Sequence, residues 1–356
     1  MSRFLSETKK RLVPYTPGEQ PKTREYIKLN TNESPFPPSP RAQRYAAQAL
    51  GTLELYSDPT CAALAKKASA LFGVEEEEIL FTNGSDEILN FAFMAFCDAA
   101  HPAVFPNITY GFYPVFADVN GVPYREIPLD ENFCIRAGDY AGANGTVFIA
   151  NPNAPTGIAL NLAQIEEIVK TNPDNVVVID EAYVDFGAAS AVGLIHRYEN
   201  LLVTRTFSKS RSLAGARLGF GIGCKALIRD LNTLKYATNP YNVNAVTMTA
   251  GVGSLEDEAY TQNNIQTIIE NRAYTVEGLQ NIGFEVLPSK ANFVFAKHPG
   301  IGGEALYAAL KEKGILVRHF QKEKIKEFNR ITIGTKEQMQ ILMQTITEIL
   351  TAEGIQ

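Results

Sequence analysis

Tryptophan is absent from the 356-residue sequence, and cysteine and histidine occur only four times each. The cysteines, Cys61, Cys97, Cys134 and Cys224, stand far apart and form no CxxC pair. That is too sparse for a disulfide scaffold or a zinc site, so no metal is expected. Free thiols suit a reducing compartment, and a cytoplasmic location is expected. Long apolar runs are also missing. The longest, FAFMAF (91–96) and VVVI (176–179), fall far short of the roughly 20 residues of a membrane span. The opening MSRFLSETKKRLVPY lacks the apolar core of a signal peptide. A basic excess is lacking as well. Lys plus Arg number 33 against 39 for Asp plus Glu, a net charge of −6, which argues against a broad nucleic-acid or anionic-membrane surface. A small basic pocket stays possible. No period of 20–50 residues recurs, which excludes a solenoid or propeller. Hydrophobic residues at 45% and charged residues at 20% leave an ordinary globular chain, long enough for about two domains.

What is present is a rhythm. Short β-rich runs recur between residues 79 and 223: ILFT, AVF, YREI, TVFIA, VVVID, LLVTR and GFGIG. Several are apolar throughout, as strands covered on both faces must be. Between two of them Asn161 and Gln164 have capping-box spacing, and Leu162, Ile165, Ile168 and Val169 form one stripe. Such alternation implies a mostly parallel sheet with helices on both faces. The pattern changes near 255. A helix over 258–281 is expected, then the strands FEVL, NFVFA, ILVR and RITI, and a last helix opened by Thr335 and Gln338. The division expected is an arm (1–40) joining a small C-terminal α+β domain (256–356), with a large α/β domain (41–255) between them.

In open α/β sheets ligands bind beyond the carboxyl ends of the strands. After ILFT, Gly84 permits a tight turn and Ser85 and Asp86 start a helix, which reads as an ordinary cap or as an anion site. After TVFIA comes Asn151-Pro152-Asn153-Ala154-Pro155-Thr156-Gly157, a turn by composition. Asp180 ends VVVID at the edge of a dry sheet, where a carboxylate needs a cation. That cation is a nearby Arg or Lys, a helix N-terminus, or the protonated ring nitrogen of a cofactor. After LLVTR, Lys209 lies among small hydroxyls, with Arg217 eight residues on. It is either a solvated strand-end lysine or an amine held to react with a carbonyl.

Taken in order, the helix start at Ser85, Asn-x-Pro-Thr-Gly, Asp-x-x-Tyr, Ser-Lys and Arg resemble the fold-type I pyridoxal-phosphate aminotransferases, across essentially the whole chain. Val13-Pro14-Tyr15-Thr16-Pro17-Gly18, Lys28 to Pro35, Leu55 to Pro59 and Arg330 to Thr335 are similar to the histidinol-phosphate aminotransferase family. The resemblance implies that family's fold, a mostly parallel seven-stranded sheet sandwiched by helices plus a smaller α+β domain. It implies pyridoxal 5'-phosphate as cofactor and small-molecule substrates, an amino-acid donor and a phosphorylated keto acceptor. Lys209 then matches the covalent anchor and proton-moving base. Asp180 matches the partner of the ring nitrogen, Tyr183 the phenol on the ring hydroxyl, and Tyr110 the stacking aromatic. Ser85, Asp86, Ser208 and Arg217 match the phosphate pocket. Tyr56 matches a residue that crosses a homodimer interface to reach the phosphate. Arg330 matches the carboxylate-gripping arginine, with Arg318, Tyr15 and Asn32 also on the substrate side. The family usually has Asn directly before Pro-Thr-Gly, whereas Ala154 stands here, so Asn153 is the candidate for that contact.

Three other readings remain. A threonine-phosphate decarboxylase-like enzyme and an aromatic or broad-specificity aminotransferase would use the same lysine and aspartate. A non-catalytic regulator on the same fold would need an added DNA-binding domain, for which the roughly 30 residues before the first motif leave no room.

Overall fold

A computed structural model describes residues 2–10, 12–21 and 24–355. Its strands in chain order are β1 (Ile27–Lys28), β2 (Ile79–Thr82), β3 (Ala103–Pro106), β4 (Tyr124–Ile127), β5 (Thr146–Ala150), β6 (Val177–Asp180), β7 (Leu201–Thr206), β8 (Gly219–Gly223), β9 (Glu285–Val286), β10 (Phe293–Lys297), β11 (Ile315–Leu316), β12 (Arg318–His319) and β13 (Asn329–Thr332). The runs expected between 79 and 223 form one seven-stranded sheet, in the order β2-β8-β7-β6-β5-β3-β4. It is an α/β fold with a large, mostly parallel sheet.

The central strands are apolar along most of β5 and β6 and the first half of β7 because both faces are covered. Val147, Ile149, Val177, Ile179, Leu201 and Val203 pack into one core, while Phe148, Val178 and Leu202 pack into the other. Alternate residues of a strand point to opposite faces, so in a strand buried on both sides a polar residue is costly unless paired and is favoured toward the strand's end. Thus Asp180 comes last in β6, in register with Ala150 of β5 and Thr204 of β7.

Within this seven-stranded sheet two neighbour pairs of the described residues are antiparallel, and both involve β8. A parallel return from β7 needs a crossover of a dozen or more residues, usually through a helix. The chain between Thr206 and Gly219 instead holds only a short 3-10 turn, so β8 comes back antiparallel. Its glycines let the helix Ser85–Phe96 lie close on the sheet. A β-carbon at Gly219 would stand 2.3 Å from the Ser85 nitrogen, and one at Gly221 would stand 2.9 Å from Ile88.

A second core gathers Ile265, Ile268, Val294, Ile331, Leu342 and Ile346, together with Leu29 from near the N-terminus. It lies on a four-stranded sheet, β12-β13-β10-β9. The helix Glu258–Asn281 spans the residues expected of it, and Thr335 and Gln338 close a capping box on the helix Lys336–Ala352. The run ILVR is not one strand. β11 pairs in parallel with β1, and β12 pairs with β13, because the chain changes partners at Val317. Among the described residues no helix is long and apolar enough to cross a membrane.

Candidate active site

Two adjoining cavities open where the carboxyl ends of the parallel strands face the smaller sheet. The inner one, about 380 Å³, is lined by Ser85, Asp86, Asp180, Ser208 and Arg217 among others. The outer one, about 460 Å³, is lined by Tyr15, Asn32, Arg318 and Arg330 among others. Thr31, Tyr110, Ala154, Tyr183 and Lys209 line both.

Lys209 follows β7 and sits at the junction. Its amine donates to the Thr31 carbonyl at 3.3 Å and lies 5.6 Å from the centre of the Tyr183 ring. The Tyr183 hydroxyl accepts from the Asn32 amide at 2.9 Å. Asn32 is itself held by Thr332 and Asn292. The Tyr183 oxygen is therefore fixed in place through residues distant in sequence.

Asp180 forms part of the floor of the inner cavity and is 5% exposed. It accepts long hydrogen bonds, 3.2 Å from Tyr113 and 3.3 Å each from Thr204 and the Ala182 N–H. No cation among the described residues pairs with it. Burial, with a smaller push from the charge of Asp86, raises its pKa from 3.8 to about 6, against the pull of Tyr113. A buried carboxylate without a cation is costly, and a ligand bringing a positive ring nitrogen would relieve that cost.

At the other end of the inner cavity Gly84, with φ +80°, leads into the helix that starts at Ser85. The Asp86 carboxylate accepts from the Arg217 guanidinium and from the Tyr110 hydroxyl, each at 2.7 Å. Burial and Asp86 together push the Tyr110 phenol well above its ordinary range. The positive φ at Gly84 favours glycine there, and a β-carbon would stand 2.6 Å from the end of the Arg217 side chain that crosses it. Free N–H groups, a guanidinium and the Ser208 hydroxyl suit a phosphate. Amine, buried acid and anion cradle together fit pyridoxal phosphate.

In the outer cavity Arg330 donates to the Asn30 carbonyl at 3.1 Å and stands over the rings of Phe293 and Phe320. Its Nε is buried and has no partner among the described residues, and burial lowers its pKa. Arg318 donates to the Thr16 and Pro17 carbonyls. Tyr15 packs at 4.6 Å on Phe112 and at 6.4 Å on Tyr110.

Two residues singled out from sequence lie elsewhere. Asn153 is buried outside both cavities. Its side chain accepts from Thr109 and donates to the Ile108 carbonyl and to Thr156, so the turn consumes it, and Ala154 faces the cavities instead. Tyr56 is 85% exposed and stacks at 4.7 Å on Tyr241, beside exposed Leu50, Leu53 and Leu55. Sequence reasoning missed Tyr113, Thr204, Thr31 and Lys322. Thr204 could have been found from sheet register, being opposite Asp180. A buried tyrosine hydroxyl needs a partner, which is the signal at Tyr113.

Residues 24–346 match the family model for aminotransferase class I and II. The chain is 47% identical to the histidinol-phosphate aminotransferase of Brachyspira hyodysenteriae, over 98% of this chain and 99% of that one. It is 48% identical to that of Acinetobacter baumannii, over 97% of each. Among solved structures it is similar to the histidinol-phosphate aminotransferase of Clostridium acetobutylicum, with a TM-score of 0.85 and 25% identity over 92% of this chain and 99% of that one. The Sinorhizobium meliloti enzyme, solved in complex with pyridoxal-5'-phosphate, shares the fold with a TM-score of 0.88, at 21% identity over 99% of each chain.

Proposed function

Because the chain belongs to the class I and II aminotransferases and, within them, to the histidinol-phosphate aminotransferases, we propose that it interconverts L-histidinol phosphate and imidazole-acetol phosphate, with glutamate and 2-oxoglutarate as the other pair, in histidine biosynthesis. It is a pyridoxal-phosphate-dependent aminotransferase. When bound, the cofactor supplies an electron sink for charge developing at the substrate α-carbon and carries the amino group between the two substrates.

The observation that carries this reading is a pair of unmatched charges. Among the described residues Asp180, a buried acid without a cation, lines one cavity; Arg330, with a buried unpaired Nε, lines the other; Lys209 stands where they meet. In the proposed roles Lys209 would hold the cofactor covalently, and its free amine would take and return the substrate α-proton. The Thr31 carbonyl holds its amine at the junction meanwhile. Asp180 keeps the ring nitrogen protonated. Tyr183, fixed by Asn32, donates to the ring hydroxyl, and Tyr110 covers one face of the ring. The N–H groups at Ser85 and Asp86, with Ser208 and Arg217, hold the phosphate. The guanidinium fork of Arg330 orients the α-carboxylate of the amino-group donor, glutamate, with Arg318 and Tyr15 on the substrate side of the same cavity.

We also assign the arm 1–40 and residues 256–356 to one unit and 41–255 to another, and place the enzyme in the cytoplasm as a homodimer. Support for the dimer is the exposed apolar strip around Tyr56, which completes the partner's phosphate site in this reading.

A half-reaction decides the function. Purified, cofactor-loaded protein is mixed with L-histidinol phosphate while the visible absorption of the cofactor is followed. Loss of the resting band, formation of the keto product and recovery with 2-oxoglutarate are expected. No spectral change with histidinol phosphate, or release of carbon dioxide from O-phosphothreonine in its place, would refute the proposal.

A further inference from the structure

Besides Lys209, three cations among the described residues line the outer cavity, and each rests on a backbone carbonyl rather than a carboxylate. Arg318 holds the Thr16 and Pro17 carbonyls, Arg330 holds that of Asn30, and Lys322 holds that of Asn107. Among the residues lining this cavity Glu126 is the only acid. Lys322 is the one of the three that no motif marks. It is exposed and sits on the loop between β12 and β13, whose Phe320, Gln321 and Ile325 also line the cavity. From there it reaches across to Asn107, just past the end of β3 in the large sheet.

A neutral carbonyl is a weak partner for an ammonium. The amine can leave it for an incoming anion without breaking an ion pair. A phosphate monoester carries close to two charges near neutral pH and has three acceptor oxygens, whereas a carboxylate carries one charge and is satisfied by a single guanidinium fork. An enzyme that takes both glutamate and a phosphorylated substrate in one cavity therefore needs a further donor for the phosphate alone.

We propose that Lys322 is a specificity-determining residue that binds the phosphate of the phosphorylated substrate. This rests on the phosphorylated-substrate reading above. Arg330 and Arg318 serve both substrates; Lys322 leaves Asn107 only for the dianion.

The test compares holoenzyme variants Lys322→Met and Lys322→Arg with wild type in the two half-reactions. One charge-assisted hydrogen bond at a partly exposed site predicts a KM for L-histidinol phosphate about tenfold higher in Lys322→Met. KM for glutamate should move by less than about twofold, since its two carboxylates are each satisfied by one guanidinium fork, those of Arg330 and Arg318. Lys322→Arg should stay near wild type. Inorganic phosphate, used as an inhibitor of the glutamate half-reaction, should weaken in parallel in Lys322→Met. Equal shifts for both substrates would mean that Lys322 only latches the cavity, and would overturn the proposal, as would no shift in either. If wild type does not act on histidinol phosphate, the substrate reading fails, and the phosphate-inhibition arm still decides the anion site: unchanged inhibition overturns it.

Discussion

Replacing Asp180 by asparagine preserves shape and removes a charge. Its effect should change sign when the cofactor binds. Without cofactor the carboxylate is buried and lacks a cation, and its pKa is raised from 3.8 to about 6, chiefly by burial. At 1.36 kcal/mol per pH unit, that difference is about 3 kcal/mol against folding when the group is ionised. A carboxyl with a raised folded pKa costs nothing below pH 3.8, where both states are protonated. The cost grows as pH rises through the interval to about 6 and is full above it. Apo Asp180→Asn should therefore match wild type at the acid end of that window. At pH 8 it should be more stable by up to about 3 kcal/mol. The new amide oxygen can still accept from Thr204 and the Ala182 N–H, and the Tyr113 hydroxyl can turn to accept from the new amide nitrogen. With cofactor bound, the ring cation loses its one buried partner. Breaking such a pair costs about 3–5 kcal/mol, so kcat/KM should fall roughly 10²- to 10⁴-fold. Thermal unfolding of the apo proteins across pH, beside steady-state kinetics of the loaded ones, reads both effects. An apo variant less stable than wild type at pH 8, or a kcat/KM kept within about threefold, would refute the reasoning.

Arg330→Met should leave stability nearly unchanged, because no carboxylate partner is lost. It should raise KM for glutamate roughly 10- to 150-fold, the worth of about 1.5–3 kcal/mol for a hydrogen-bonded charge; Arg330→Lys should recover only part of this, lacking the planar fork. Initial rates with varied glutamate decide the point, and an unchanged KM would count against the assignment. For the shared site, inactive Lys209→Ala protomers and Tyr56→Ala protomers are mixed and allowed to exchange. If Tyr56 serves the partner, hybrid dimers contain one intact site, and about a quarter of wild-type sites should return. No gain over the separate variants would show that Tyr56 does not act across an interface.

The main lines of the fold were legible because covered strands are mostly apolar, and polar residues are favoured toward their ends. Asp180, Lys209 and the helix start at Ser85 stand out for that reason, each just past an apolar run. The reversal of β8 was not read, since its direction depends on the lack of a crossover helix in the connection and not on any strand's own pattern. The supports of the site were also hidden. Thr31 and Lys209 meet across 178 positions, Asn32 and Tyr183 across 151, and no local period encodes either contact. Tyr113 reads as one more core aromatic until its hydroxyl is seen on Asp180. Asn153 misled because a turn by composition was also a motif by position, and the hydrogen bonds of the turn claimed its side chain. Net charge said nothing of Arg318, Lys322 and Arg330 sharing one cavity.

Lys209 as the covalent anchor at the junction of the two cavities is the point on which everything else depends. Reducing the cofactor-loaded protein with borohydride fixes the cofactor to the amine that holds it, and peptide mapping by mass spectrometry identifies that amine. The label should be found on the peptide containing Lys209 and disappear in Lys209→Ala, which should lose turnover as well. A label on any other lysine, or normal turnover by Lys209→Ala, would contradict the mechanism at its root.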